Sequence, residues 1–170
     1  MKIWIISDTH FNHANIIEFC KRPENHESLL YSSLIRIKKE DCLIHLGDVC
    51  LGNDLVVHNN IATLPCRKIL VKGNHDGKSW SWYMEHGWDF VCDAFRLNYC
   101  GKIIMFSHIP QAWDGVWDIN VHGHLHNIGR AKEIKHEMRK WHRLYAPEHF
   151  NYQPVELCKF ISTISIEEGR

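Results

Sequence analysis

Asp8, His10, Asp48, Asn74, His108, His124 and His126 each stand just past the end of a short apolar run. They fall in five motifs: Ser7-Asp8-Thr9-His10, Leu46-Gly47-Asp48, Lys72-Gly73-Asn74-His75-Asp76, Phe106-Ser107-His108 and Val121-His122-Gly123-His124-Leu125-His126. Carboxylate, amide oxygen and imidazole together, with no thiolate, suit Mn²⁺, Fe²⁺/Fe³⁺, Zn²⁺, Co²⁺ or Ni²⁺. An all-oxygen calcium site would not need four histidines. Two such cations about 3.5–4 Å apart would clamp a phosphoryl group and activate a bridging water. Taken singly, Asp8 and Asp48 read as strand-end caps and His108 as an ordinary core histidine; their joint occurrence points to metal. In Asp8-x-His10 and His124-x-His126, the two-residue spacing would aim both ligands the same way on an extended backbone. Glycines beside several ligands would let backbones approach closely.

Elements must bring these groups together. The runs Ile3 to Ile6, Cys42 to Leu46, Lys68 to Val71, Ile103 to Phe106 and Ile119 to Val121 are three to five residues long and read as strands buried on both faces. Helical patterns follow the first three. Leu30, Leu34 and Ile37 predict a helix within His26 to Glu40, Asn53 is a candidate N-cap for a helix through Leu64, and a third helix covers Ser79 to His86 and stops at Gly87. From Asp89 to Phe106 the pattern turns to strands alone, which suggests a second sheet packed on the first. Glu156 to Ser165 would supply a closing strand or helix. In α/β sheets ligands bind beyond the carboxyl ends of strands, which is where the candidate residues fall.

Composition narrows the classes. The chain has 170 residues, enough for one domain, and 20 basic residues balance 20 acidic ones. That balance argues against a protein that coats polyanions. Fourteen histidines are a reason to look for metal. Seven cysteines form no Cys-x-x-Cys pair and read as small buried hydrophobes in a reducing, cytoplasmic compartment. The first apolar run is too short for a secretory or membrane segment.

In their order and spacing, the five motifs resemble the calcineurin-like metallophosphoesterase superfamily, whose D-x-H, G-D, G-N-H-[DE], H and G-H-x-H pattern is complete between Asp8 and His126. The resemblance implies an α/β fold, a four-layer α/β/β/α sandwich of two mixed sheets flanked by helices. It implies that Asp8, His10 and His126 hold one metal, that Asn74, His108 and His124 hold another, and that Asp48 bridges them. It makes His75 the general acid or transition-state stabiliser, oriented by a hydrogen bond from Asp76. The activity implied is phosphodiester or phosphomonoester hydrolysis, with two divalent ions, Mn²⁺ foremost, and a bridging hydroxide as nucleophile. Val49-Cys50-Leu51 after Gly47-Asp48, and Asp rather than Glu after His75, depart from the Ser/Thr protein phosphatases. With no long insertion, the chain looks like the small phosphodiesterase members.

Around the motifs, Asn12 and His13 are weaker candidates for contact with substrate. Arg22 reads as half of a surface salt bridge, and Trp113 and Trp117 as core aromatics with base stacking as the alternative. Residues 129–143 hold six basic and two acidic side chains and suggest a basic amphipathic lid on a single domain. The substrate would be a phosphoester such as a nucleotide or a nucleic-acid end, with no membrane partner and homo-oligomerisation left open. A nuclease acting on longer DNA or RNA is the second reading, and a non-catalytic scaffold of the same fold is the third.

Overall fold

The apolar run Ile3–Ile6 is strand β1 in the computed structural model of the chain, which describes residues 1–127 and 140–162. Helices α1 (Asn15–Cys20) and α2 (His26–Leu34) follow, then β2 (Cys42–His45), α3 (Asp54–Ala62), β3 (Arg67–Val71), α4 (Trp80–Glu85) and β4 (Phe90–Cys92). β1, β2, β3 and β4 pair in parallel, with Ile3 opposite Cys42 and Cys42 opposite Arg67. All four residues of β2 are buried, as expected of a strand covered on both faces.

A hairpin then opens the second sheet. β5 (Ala94–Tyr99) runs antiparallel to β6 (Lys102–Ser107), and β6, β7 (Ile119–His122) and β8 (His142–Leu144) run parallel. A 3₁₀ turn (Pro147–Phe150) leads to β9 (Val155–Glu156), which lies antiparallel to β1 at the edge of the first sheet, and α5 (Leu157–Ser162) follows it. The sheet orders are β4-β3-β2-β1-β9 and β5-β6-β7-β8. Ile5, Ile44 and Leu70 of the first sheet share one apolar cluster with Ile104, Phe106 and Val121 of the second. Each such side chain contributes about 1.5–3 kcal/mol on burial. Two mixed sheets flanked by helices is the architecture the sequence implied.

Local departures have identifiable causes. The helix expected up to Glu40 stops at Leu34. Ser33 Oγ donates to the Leu30 carbonyl, the chain tightens into a turn in which the Ile37 N–H donates to Leu34, and Ile37 enters the core from that turn. Asn53 precedes α3 in a left-handed conformation, φ 50°, and its side chain makes no capping bond, whereas Ser79 Oγ accepts from the Trp82 N–H and caps α4. Helix α1 was not foreseen; it is short, and only Ile16 and Cys20 anchor it. Of the basic segment, residues 129–139 lie outside the described residues, while His142 and Arg143 belong to β8. Among the described residues no helix is long and apolar enough to cross a membrane.

Candidate metal centre

Every ligand candidate leaves the carboxyl end of a parallel strand: Asp8 and His10 after β1, Asp48 after β2, Asn74 after β3, His108 after β6, His124 and His126 after β7. The first two loops continue the strand pairing in altered form. Asp8 N–H donates to the Gly47 carbonyl (2.9 Å), His10 N–H to Asp48 (3.1 Å) and Phe11 N–H to Val49 (2.9 Å), and Phe11 pairs with Cys50 in an isolated bridge. Two ligand loops are thereby locked side by side.

The ligands do not converge as the two-residue alternation suggested. Asp8, His10, Asp48, His124 and His126 all have positive φ, between 48° and 69°. Non-glycine residues take this conformation uncommonly, and its concentration here is strain held at one place in the fold. Turns in the left-handed region, rather than extended backbone, bring each pair together.

Ligand atoms of Asp8, His10 and His126 lie within 4.8 Å of one another, and so do those of Asp48, His108 and His124. His126 Nε2 is 3.5 Å from Asp8 Oδ1, and His108 Nε2 is 3.1 Å from both His124 Nδ1 and Asn74 Oδ1. Asp48 Oδ2 faces both groups, at 3.6 Å from His10 Nε2 and 3.3 Å from His108 Nε2. Two ligands each about 2.1 Å from one cation sit about 3–3.5 Å apart, so these separations fit shared cations. His10 Nε2 is buried without a hydrogen-bond partner, an expensive omission unless a cation takes the lone pair. His108 Nδ1 lies 2.8 Å from the Leu46 carbonyl, which as an acceptor fixes the proton there and leaves Nε2 to the cluster. The residues present fit a pair of divalent cations.

Glycines make the approach feasible. A Cβ at Gly73 would overlap the carboxylate and amide of Asp48, and one at Gly123 would overlap Ser7 Oγ and Asp8 Oδ2.

The electrostatics follow from burial and opposed charge. Burial lowers His10 to about 2, so its approach to Asp8 and Asp48 is not an ion pair at neutral pH. Burial also opposes a charge on His108, but the hydrogen bond and charge of Asp48, with the charge of Asp8, hold it up at about 9. Burial raises Asp48 in turn, yet its hydrogen bond with His108, that ring's charge and the His75 N–H together bring it well below the usual carboxylate range.

Behind the ligands stands a polar frame. Arg22, expected at the surface, is buried: Nη2 donates to the Asp8 carbonyl (2.8 Å), Nη1 to Thr9 (2.9 Å) and Nε to Glu148 Oε1 (2.6 Å). The guanidinium is consumed by backbone carbonyls, which the sequence around Arg22 does not announce. Gly47 N–H donates to His45 Nδ1, so His45 Nε2–H points to Thr9 Oγ1, whose own proton goes to the Val49 carbonyl. Burial lowers His45 to about 3, which keeps it neutral in this chain of bonds. Thr9, His45 and Glu148 were missed; their only signal is adjacency to a motif, and Glu148 lacks even that.

Asp76 departs from the role the resemblance implied. Its carboxylate accepts from the N–H groups of Asp48 (2.8 Å), Gly73 (2.8 Å) and Val49 (3.1 Å), and among the described residues His75 is not one of its donors. It ties the β2 and β3 loops together instead of orienting His75. His75 is exposed; its N–H donates to Asp48 Oδ1 (2.8 Å) and its ring stands edge-on to His10 at 5.4 Å. His13 is half-buried, with Nδ1 3.3 Å from His10 Nδ1 and its ring 6.2 Å from His75. Burial, with the neighbouring His75, lowers its pKa. Asn12 is exposed and its N–H donates to Glu27. Trp117 is buried, but Trp113 is 49% exposed and stacks on Trp141 at 5.1 Å, so the core reading fails for Trp113.

A two-sheet fold with Asp, His and Asn gathered at the ends of its strands is that of a phosphoesterase, and the chain belongs to the calcineurin-like phosphoesterase family, whose model matches residues 1–160. An uncharacterized protein of Methanocaldococcus jannaschii is 29% identical over 182 aligned positions, covering 99% of this chain and 93% of that protein. A protein of unknown function from Aquifex aeolicus, of known structure, is 28% identical and superposes with a TM-score of 0.76 over 93% of this chain and 96% of its own. A nuclease of Pseudomonas putida shares the fold at 18% identity and a TM-score of 0.52, over 73% of this chain and 61% of the nuclease.

Proposed function

We propose that the chain is a phosphodiesterase that works with two divalent cations, Mn²⁺ foremost. The observation that carries this reading is Asp48: one carboxylate oxygen facing imidazoles from two separate clusters is the position of a bridging ligand. Asp8, His10 and His126 would hold one cation and Asn74, His108 and His124 the other. When bound, such a pair brings the pKa of a water toward neutrality and offsets charge on the phosphoryl oxygens.

The chain's own groups do the rest. Arg22 and the paired loops hold Asp8, His10 and Asp48 at fixed spacing, so little reorganisation accompanies the reaction. His75, exposed at the rim and anchored through its N–H, is placed to give a hydrogen bond or proton to the leaving oxygen. The His13 ring lies 6.2 Å from that of His75, and exposed Asn12 precedes His13 in the same loop, so the two are the candidates for contact with the esterified group. A nucleotide or nucleic-acid end is the substrate class this mixture of imidazoles and exposed amides suits.

The test compares hydrolysis of bis-p-nitrophenyl phosphate and p-nitrophenyl phosphate with each candidate metal added to stripped protein. Faster turnover of the diester with Mn²⁺ is expected; hydrolysis of neither with any metal would overturn the proposal. A steep fall of substrate affinity with added salt on long DNA or RNA would instead favour a nuclease.

A further inference from the structure

Five of the seven cysteines are buried: Cys20, Cys42, Cys50, Cys66 and Cys92. Burial pushes the thiols of Cys42 and Cys92 up to about 11, so they are poor nucleophiles as well as inaccessible. The other two differ in kind. Cys100 is exposed and Cys158 half-buried, and although 58 positions separate them, their sulfurs lie 3.0 Å apart.

The setting of Cys100 is unusual in a second way. Tyr99 pairs with Lys102, which leaves Cys100-Gly101 as the two-residue loop of the β5–β6 hairpin, with φ of 52° and 72°. Positive φ at both loop positions is the primed turn that Asn-Gly or Asp-Gly forms most readily. A cysteine stands there against backbone preference, at the tip that reaches Cys158 in the first turn of α5.

We propose that Cys100 and Cys158 are a redox-active dithiol, closed to a disulfide by a low-molecular-weight disulfide such as oxidised glutathione. One thiolate attacks a sulfur of the small disulfide and expels its first thiolate, leaving a mixed disulfide. The second protein thiolate attacks the protein sulfur of that bond and expels the other. Two protein thiols lose two electrons and two protons, and one small disulfide becomes two small thiols. The sulfurs need approach only by about 1 Å to reach bonding distance. Closure would fasten the second sheet's hairpin to the helix that follows β9 of the first sheet. It brackets the stretch of chain containing His108, His124, His126 and Glu148.

The test uses the full reduced chain, equilibrated in glutathione buffers from reduced to oxidised, quenched with acid, denatured and alkylated. The thiol count is expected to fall from seven to five in one two-electron step, with a digest yielding a peptide that joins residues 100 and 158. Cys158→Ser is expected to stop at a mixed disulfide on Cys100. The oxidised wild type should unfold at a temperature on the order of 5–10 °C higher, a gain abolished by dithiothreitol. Retention of all seven thiols in oxidised glutathione, or arrest of the wild type at a mixed disulfide, would overturn the proposal.

Discussion

Asp48 accepts the His75 N–H through one oxygen and turns the other toward His10 and His108. His75 touches that arrangement only from the rim. Asp48→Asn and His75→Ala should therefore fail differently. The first should lose bound metal and turnover together. The second should keep its metal and lower kcat on the diester by about 10²–10⁴. Metal content by mass spectrometry beside steady-state kinetics separates the two, and equal metal loss in both variants would show His75 to be structural. The candidate ligands stand out in the sequence because coordination admits few residue types and the motifs keep them in order, and the fold gathers them at one place. Asp76 was named but misread: a carboxylate beside a histidine looks like its orienting partner, and nothing local says that three backbone N–H groups claim it first. Glu148 could not be read at all: it lies far along the chain from every motif and meets the site from outside, through Arg22 and beside His126.

That pair works between elements. Arg22 follows α1, Glu148 sits in the 3₁₀ turn after β8, and the guanidinium they share holds the loop after β1. Both side chains are buried, 0% and 6% exposed. Arg22→Ala would leave the Glu148 carboxylate buried without its cation, and a loss of about 3–5 kcal/mol of stability is expected. Denaturant unfolding of the metal-free variant measures it, and a change under about 1 kcal/mol would mean that water replaces the guanidinium at little cost. Strands were more legible than helices for a related reason. β1 and β2 are covered on both faces and spell themselves as apolar runs, Ile3 to Ile6 and Cys42 to Ile44. The helices here bury only a few positions each, and α2 ends where Ser33 turns onto its own backbone.

At the scale of the whole molecule, buried neutral histidines set the response to acid. Burial lowers His58 and His142 to about 4 each, and His45 and His122 to about 3. Above pH about 6.5 these rings are neutral in both folded and unfolded chains, and they contribute no pH dependence. Below it the unfolded chain takes up protons that the folded chain cannot, so stability falls with pH down to about 4. His58 contributes a loss of about 3 kcal/mol across that window, and His142, which is less fully enclosed, a smaller one. His108, held up at about 9, is charged in both states there and adds no slope. Denaturant midpoints measured from pH 7 to pH 4 should drop steadily; a flat profile would mean that water reaches these rings. These midpoints are measured on metal-free protein, because a cation on His108 would displace its proton; the central claim rests on metal. Its most direct measurement is a titration of stripped protein with Mn²⁺, following bound metal and diester hydrolysis in the same samples. Activity should be absent without metal and should level off as the second ion per chain binds. Full activity in the stripped protein, or saturation at a single ion, would contradict a site built on a bridging Asp48.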